Sequence, residues 1–149
     1  MSKTILERVA DQVKIAMKAR DKERLAALRL MMSEFKRVEV DERIELDDAR
    51  VLAILDKMTK QRKDSQAQFK EAGRTDLEEK EAFELAIIGE FMPEQLGEEE
   101  IADLVATVIS QIGASGMQDM GKVMGILKPK VQGKADMSQV SALVKSRLS

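Results

Sequence analysis

The chain reads as all-α, with an N-terminal subdomain of about four helices (1–95) followed by a C-terminal three-helix bundle (96–149). Three observations lead there. Apolar residues recur at intervals of three and four along nearly the whole chain, the period of a helix with one buried face. Charged residues make up 35% and hydrophobic residues 44%, the balance of a helix-rich domain that folds on its own core. No Val/Ile/Thr alternation of strand type occurs. A chain of 149 residues is long enough to bury about two-thirds of its unfolded surface.

Ile5, Val9, Val13, Ala16 and Met17 mark the apolar face of the first helix. Asp21 is placed to cap the second, where Leu25, Leu28, Met32 and Phe35 keep the spacing. Asp47 or Asp48 caps a long third helix running to about Ala72, with Val51, Leu55, Met58 and Phe69 inward and Arg62 and Ser65 on the same stripe. Gly73 supplies the left-handed stop. Thr75 with Glu78 then spells a capping box for a fourth helix that turns Leu77, Leu85, Ile88 and Phe91 inward and closes at Met92-Pro93.

After a linker at Leu96-Gly97, the acidic run Glu98-Glu99-Glu100 complements the dipole of a fifth helix. Ile101, Leu104, Val105, Val108, Ile109 and Ile112 form its apolar face, and Gly113 ends it. Asp119 is expected to cap a short helix bearing Met120, Val123, Met124 and Leu127, with Pro129 near its end. Gly133 stops that element, and Asp136 with Gln139 caps the last helix, lined by Val140, Leu143, Val144 and Leu148. No internal repeat is read from the sequence.

The absences restrict the chemistry. With no His and no Cys, a Ser-His-Asp triad, a thiol nucleophile, a zinc finger, an iron–sulfur cluster and disulfides are all excluded. The carboxylate groups lack metal-site spacing, so no metal, no cofactor and no catalytic residue is assigned. Apolar runs such as Leu85-Ala86-Ile87-Ile88 are too short to cross a membrane. The first eight residues read as helix, not as a signal peptide. A cytoplasmic chain without a membrane partner is expected.

Charge is uneven. Residues 1–37 carry net +5, residues 38–100 net −10 and residues 101–149 net +3. Lys14, Lys18, Arg20, Lys22 and Arg24 crowd the first helix–helix connection, either as a solvated corner or as a knob facing phosphate. Arg62, on an otherwise apolar stripe, requires a partner; folding back across Gly73 brings Glu81 and Glu84 opposite it, and a structural ion pair is expected.

The run Gly121-Lys122-Val123-Met124-Gly125-Ile126-Leu127-Lys128-Pro129-Lys130-Val131-Gln132-Gly133-Lys134 is the most distinctive local sequence. Gly121 and Gly125 thin one helical face so that another backbone could approach, and lysines gather around it. Tight packing with solvated lysines is one reading. The other is a surface that tracks phosphates through Lys122, Lys128, Lys130 and Lys134, extended by Lys145 and Arg147. That second reading needs the ammonium groups on one outward side.

Several ordered motifs resemble the GatB/YqeY family, the stand-alone relatives of the tail domain of the tRNA-dependent amidotransferase B subunit. They are Ala27-Leu28-Arg29-Leu30, Gln61-Arg62-Lys63-Asp64-Ser65, Ala72-Gly73-Arg74-Thr75-Asp76-Leu77 with Lys80-Glu81, Phe91-Met92-Pro93-Glu94-Gln95-Leu96, Glu100-Ile101, Met120-Gly121-Lys122-Val123-Met124-Gly125 and Gly133-Lys134-Ala135-Asp136. The resemblance implies a helical N-terminal portion, a small three-helix tail, and a non-catalytic accessory role in holding tRNA or another RNA. It also implies two alternatives. One is an adaptor docking to a translation-related protein. The other is the carbon–nitrogen ligase activity, with glutamine as amido-N-donor, that the family label carries. Met137 and Gly97 depart from the family pattern, which has Gly and Ser or Thr there.

Overall fold

The computed structural model describes residues 3–149. Among these the chain is all-α, with seven α-helices, one short 3-10 turn and no strand. It divides into two units, one ending at Met92 and the other running from Pro93 to Ser149.

The first unit holds α1 (Ile5–Ala19), α2 (Lys22–Glu42), α3 (Asp48–Glu71) and α4 (Thr75–Gly89). Side-chain caps open the first three: Thr4 accepts from the Glu7 N–H, Asp21 from Arg24 and Asp47 from Arg50. Helices α1 and α2 pack as one hairpin and α3 and α4 as another, with α2 touching both later helices. Their common core is Val9, Ala16, Leu28, Met31, Phe35, Val51, Leu55, Met58, Ile88 and Phe91, each no more than 5% exposed. Burial of each large side chain in this set contributes about 1.5–3 kcal/mol.

Two expectations fail in this unit. Met17 is 51% exposed: Val9 and Ala16, seven residues apart, fix the buried line, and Met17 lies about 100° around the helix from Ala16. The Thr75–Glu78 capping box does not form. Thr75 is already helical, the cap position belongs to Arg74, and no side chain accepts there. Gly73 at φ 71 supplies the expected left-handed stop, and α4 begins one residue earlier than the box requires. Arg74 instead pairs with Asp76 at 3.2 Å.

The second unit holds α5 (Glu98–Ile112), the 3-10 turn Met117–Asp119, α6 (Met120–Val131) and α7 (Met137–Leu148). Each helix contributes one buried line: Ile101, Val105 and Val108 from α5; Val123, Leu127 and Val131 from α6; Val140, Val144 and Leu148 from α7. Within this unit the incoming segment is fastened to the α6–α7 turn. The Leu96 N–H donates to the Lys134 carbonyl at 2.8 Å, and Gln95 Nε2 donates to the Gly133 carbonyl at 2.7 Å.

Asp119 does not cap α6, contrary to expectation. Its backbone is already helical, and its carboxylate accepts from the Ser115 N–H at 3.0 Å, bracing the preceding loop. Asp136 does cap α7, accepting from Ser138 at 2.8 Å. Pro129 lies inside α6. The carbonyl that loses its donor and faces the proline ring is four residues back, at Gly125, which is exposed.

Candidate nucleic-acid interface

Lys122, Lys128, Lys130, Lys134, Lys145 and Arg147 are all exposed. Among the described residues none of the six joins an ion pair, whereas in the first unit Lys3, Arg24, Arg37, Arg50, Arg62 and Arg74 each have a carboxylate partner. Several carboxylates of the second unit have other roles. Asp119 and Asp136 accept backbone N–H groups, and Glu98, Glu99 and Glu100 sit in the first turn of α5.

The cations do not lie on one outward side. Lys128 and Lys130 flank the buried line of α6, about 200° apart around the helix axis. Lys145 and Arg147 flank the buried line of α7 in the same way. The two helices share a register: Val123, Leu127, Lys128, Lys130 and Val131 recur seventeen positions later as Val140, Val144, Lys145, Arg147 and Leu148. That repetition, missed in the sequence, places a basic pair in the last turn of each helix, where it complements the macrodipole. Helix α7 returns along α6 far enough to touch the Met117–Asp119 turn. The cations therefore form two groups, Lys128, Lys130 and Lys134 at one end of the hairpin and Lys122, Lys145 and Arg147 at the other.

The glycine face is also not used as expected. A Cβ built on Gly121 or Gly125 meets nothing within 4 Å, so no backbone approaches either position.

Arg62, Glu81 and Glu84 do come together at the α3–α4 packing. Arg62 Nε lies 3.2 Å from Glu84 Oε2, and the two side chains are 18% and 11% exposed. The contact is ionic without being a well-directed hydrogen bond, since Arg62 Nε has no hydrogen-bond partner. Glu81 Oε2 is likewise buried and unpartnered. Burial, and then the neighbouring Glu84 charge, raise the Glu81 pKa above the ordinary carboxylate value, with Arg62 and Lys80 opposing. The cluster lies within the α3–α4 packing. Its groups point at each other, and no group of three or more acidic residues among those described is placed to hold a metal ion.

Sequence reasoning did not find two further features. Arg24 grips Glu90 with both guanidinium nitrogens, at 2.6 and 2.9 Å, and also reaches Gln12. Partners 66 residues apart leave no local signal. Between α2 and α4 runs an open groove of about 600 Å³, lined by Ala26, Ala27 and the part-exposed Phe83, with Lys22, Glu23, Asp76, Glu79, Lys80 and Glu84 around it.

No helix among the described residues is long and apolar enough to cross a membrane. Residues 6–148 match the family model described as Yqey-like protein. The chain is 27% identical over 133 residues, covering 88% of it and 73% of the relative, to "altered inheritance of mitochondria protein 41, mitochondrial" of Pyrenophora tritici-repentis. It is 34% identical over 79 residues, 53% of the chain, to an uncharacterized protein of Schizosaccharomyces pombe, of which the match spans 64%.

Proposed function

The chain belongs to the Yqey-like protein family, and from that premise we propose that it is a non-catalytic accessory module holding tRNA or another RNA through its C-terminal unit. One observation carries the reading: six exposed cations without a neutralising partner in a unit of fifty-seven residues. Ammonium and guanidinium groups left uncompensated on a folded surface are available to phosphate oxygens. With four aromatic residues, all Phe, base stacking contributes little, and recognition proceeds by shape and charge. The cytoplasm is the proposed setting, and cell fractionation tests it.

The division into two end groups sets the expected strength. A single RNA backbone engages one end at a time, so about three phosphate contacts act together. The tail should then contribute about −2 to the slope of the logarithm of affinity against the logarithm of salt, at roughly −0.7 per contact. Binding of unfractionated tRNA is measured across a salt series for two variants. One is Lys128→Glu/Lys130→Glu/Lys134→Glu, the other Lys122→Glu/Lys145→Glu/Arg147→Glu. Weakened binding in one of them, with a shallower slope, supports the reading. Unchanged affinity in both removes the second unit as an RNA surface.

The α2–α4 groove favours a second reading, a protein-docking adaptor for a translation-related partner. Its part-exposed Phe83, in a lining of four carboxylates and two lysines, would suit a partner segment bearing an apolar residue among mainly basic neighbours. Co-purification that survives nuclease and is lost in Phe83→Asp would support it.

A further inference from the structure

We propose that the α1–α2 corner of the first unit is a separate phosphate-contacting surface, formed by Lys14, Lys18, Arg20 and Lys22, that binds the RNA backbone; the choice of RNA rests on the function proposed above.

Lys14 and Lys18 are one helical turn apart on the face of α1 opposite its buried residues Val9 and Ala16. Arg20 is the C-cap of α1 and Lys22 the first residue of α2. All four are exposed, and none joins an ion pair among the described residues. The nearby carboxylates form no ion pair with them and have other hydrogen-bond partners, although Asp11 also feels the Lys14 charge. Glu7 accepts from the Thr4 hydroxyl, Asp11 is held by Lys3, and Asp21 caps α2 through the Arg24 N–H. Arg24, the fifth cation expected at this corner, is drawn away by Glu90. Glu23 remains beside them and, together with Lys22, lines the α2–α4 groove.

Two of the four cations sit where local stability would not put them. Arg20 has φ 57, a left-handed conformation that costs a residue with a Cβ about 1 kcal/mol more than glycine. Arg43 ends α2 in the same conformation, but Asp41, Glu42 and Glu45 surround it in the sequence, so no basic surface results there. Lys22 stands at the positive end of the α2 dipole, the end that disfavours a cation. Both placements become favourable once a polyanion lies across the corner.

The chemistry fits an extended chain of phosphates and not a free phosphate ion. A single ion would need backbone N–H groups converging on it, and the Asp21 carboxylate already occupies the start of α2. Four flexible cationic stems around one bend instead suit successive phosphates of a strand. Ile15 and Met17, 55% and 51% exposed, flank the cations and would lie against sugars. The same pair would also suit an anionic membrane surface, which the experiment separates.

The test uses the full chain with Lys14→Gln/Lys18→Gln/Lys22→Gln, unfractionated tRNA as probe, and anisotropy across a salt series, with thermal unfolding as the folding control. Loss of three contacts should make the log–log salt slope shallower by about 2 and weaken binding by about 100-fold near 0.1 M salt, the difference closing toward 1 M. Arg20→Gly, which relieves the left-handed strain, should weaken binding while keeping or raising the Tm. If the triple variant matches the wild type in affinity and slope while the tail variants bind less well, the corner proposal fails and the tail reading stands. If the triple variant loses binding and the tail variants do not, the corner stands and the tail reading falls. Wild-type binding to vesicles containing phosphatidylserine, without binding to tRNA, overturns both in favour of a lipid surface.

Discussion

Replacing Arg62 with Met tests the α3–α4 junction most directly. The substitution keeps an unbranched stem of similar bulk and removes the cation that faces Glu84, a residue 8% exposed. Breaking a fully buried pair by deleting one partner costs about 3–5 kcal/mol, mostly from the uncompensated charge left behind. Here the side chains are 18% and 11% exposed, and water reduces the penalty, so about 2–4 kcal/mol is expected. Glu81 adds to the cost, because its carboxylate is raised in pKa by burial and by Glu84 and loses the opposing Arg62 charge. For a unit of this size the loss corresponds to a Tm lower by about 10–25 °C.

Far-UV circular dichroism through thermal and urea unfolding of the full chain provides the measurement. Arg62→Met/Glu84→Leu should recover most of the loss, since an apolar pair replaces an ion pair nearly neutrally where packing allows. The sign with pH is also fixed. With the cation gone, two carboxylates face each other, so the folded state of Arg62→Met binds protons more tightly than the unfolded chain. Its stability should rise on acidification from neutral pH toward the ordinary carboxylate range. A cost below about 0.5 kcal/mol would make the contact an ordinary surface pair and refute the reasoning, as would a double variant no more stable than the single one.

The remaining predictions concern single positions. Glu81→Gln should raise the Tm by a few degrees at pH 7. The wild type loses stability as pH rises through the elevated Glu81 pKa, so the gain should vanish below the ordinary carboxylate pKa; an equal gain at all pH values would contradict the assignment. Gly121→Ala and Gly125→Ala should each stabilise the second unit by about 0.5–1 kcal/mol, because neither new Cβ meets an atom within 4 Å; destabilisation by both would mean that the face is covered. Gly73→Ala should cost about 1 kcal/mol although its Cβ also meets open space, because φ there is 71. An unchanged urea midpoint would show that the turn relaxes.

Features under local physical control could be read directly from the order of residues. The four-residue spacing of Val123, Leu127 and Val131 and of Val140, Val144 and Leu148 specifies two helices and their inward faces. Asp21, Asp47 and Asp136 announce three helix starts, and Gly73, Gly113 and Gly133 three left-handed stops. Each of these effects acts within about one helical turn. Arg62 with Glu84 was legible too, because one turn at Gly73 brings their two helices together.

Which charges are paired, and where the others point, depends on long-range packing. Arg24 is lost to Glu90 across 66 residues, while Lys14, Lys18, Arg20 and Lys22 stay exposed and outside any ion pair among the described residues. The tail cations, neighbours in sequence, separate to opposite flanks and ends of a hairpin because the buried line of each helix fixes its rotation. Packing of the apolar side chains sets that rotation, and the charged residues take whatever direction is left.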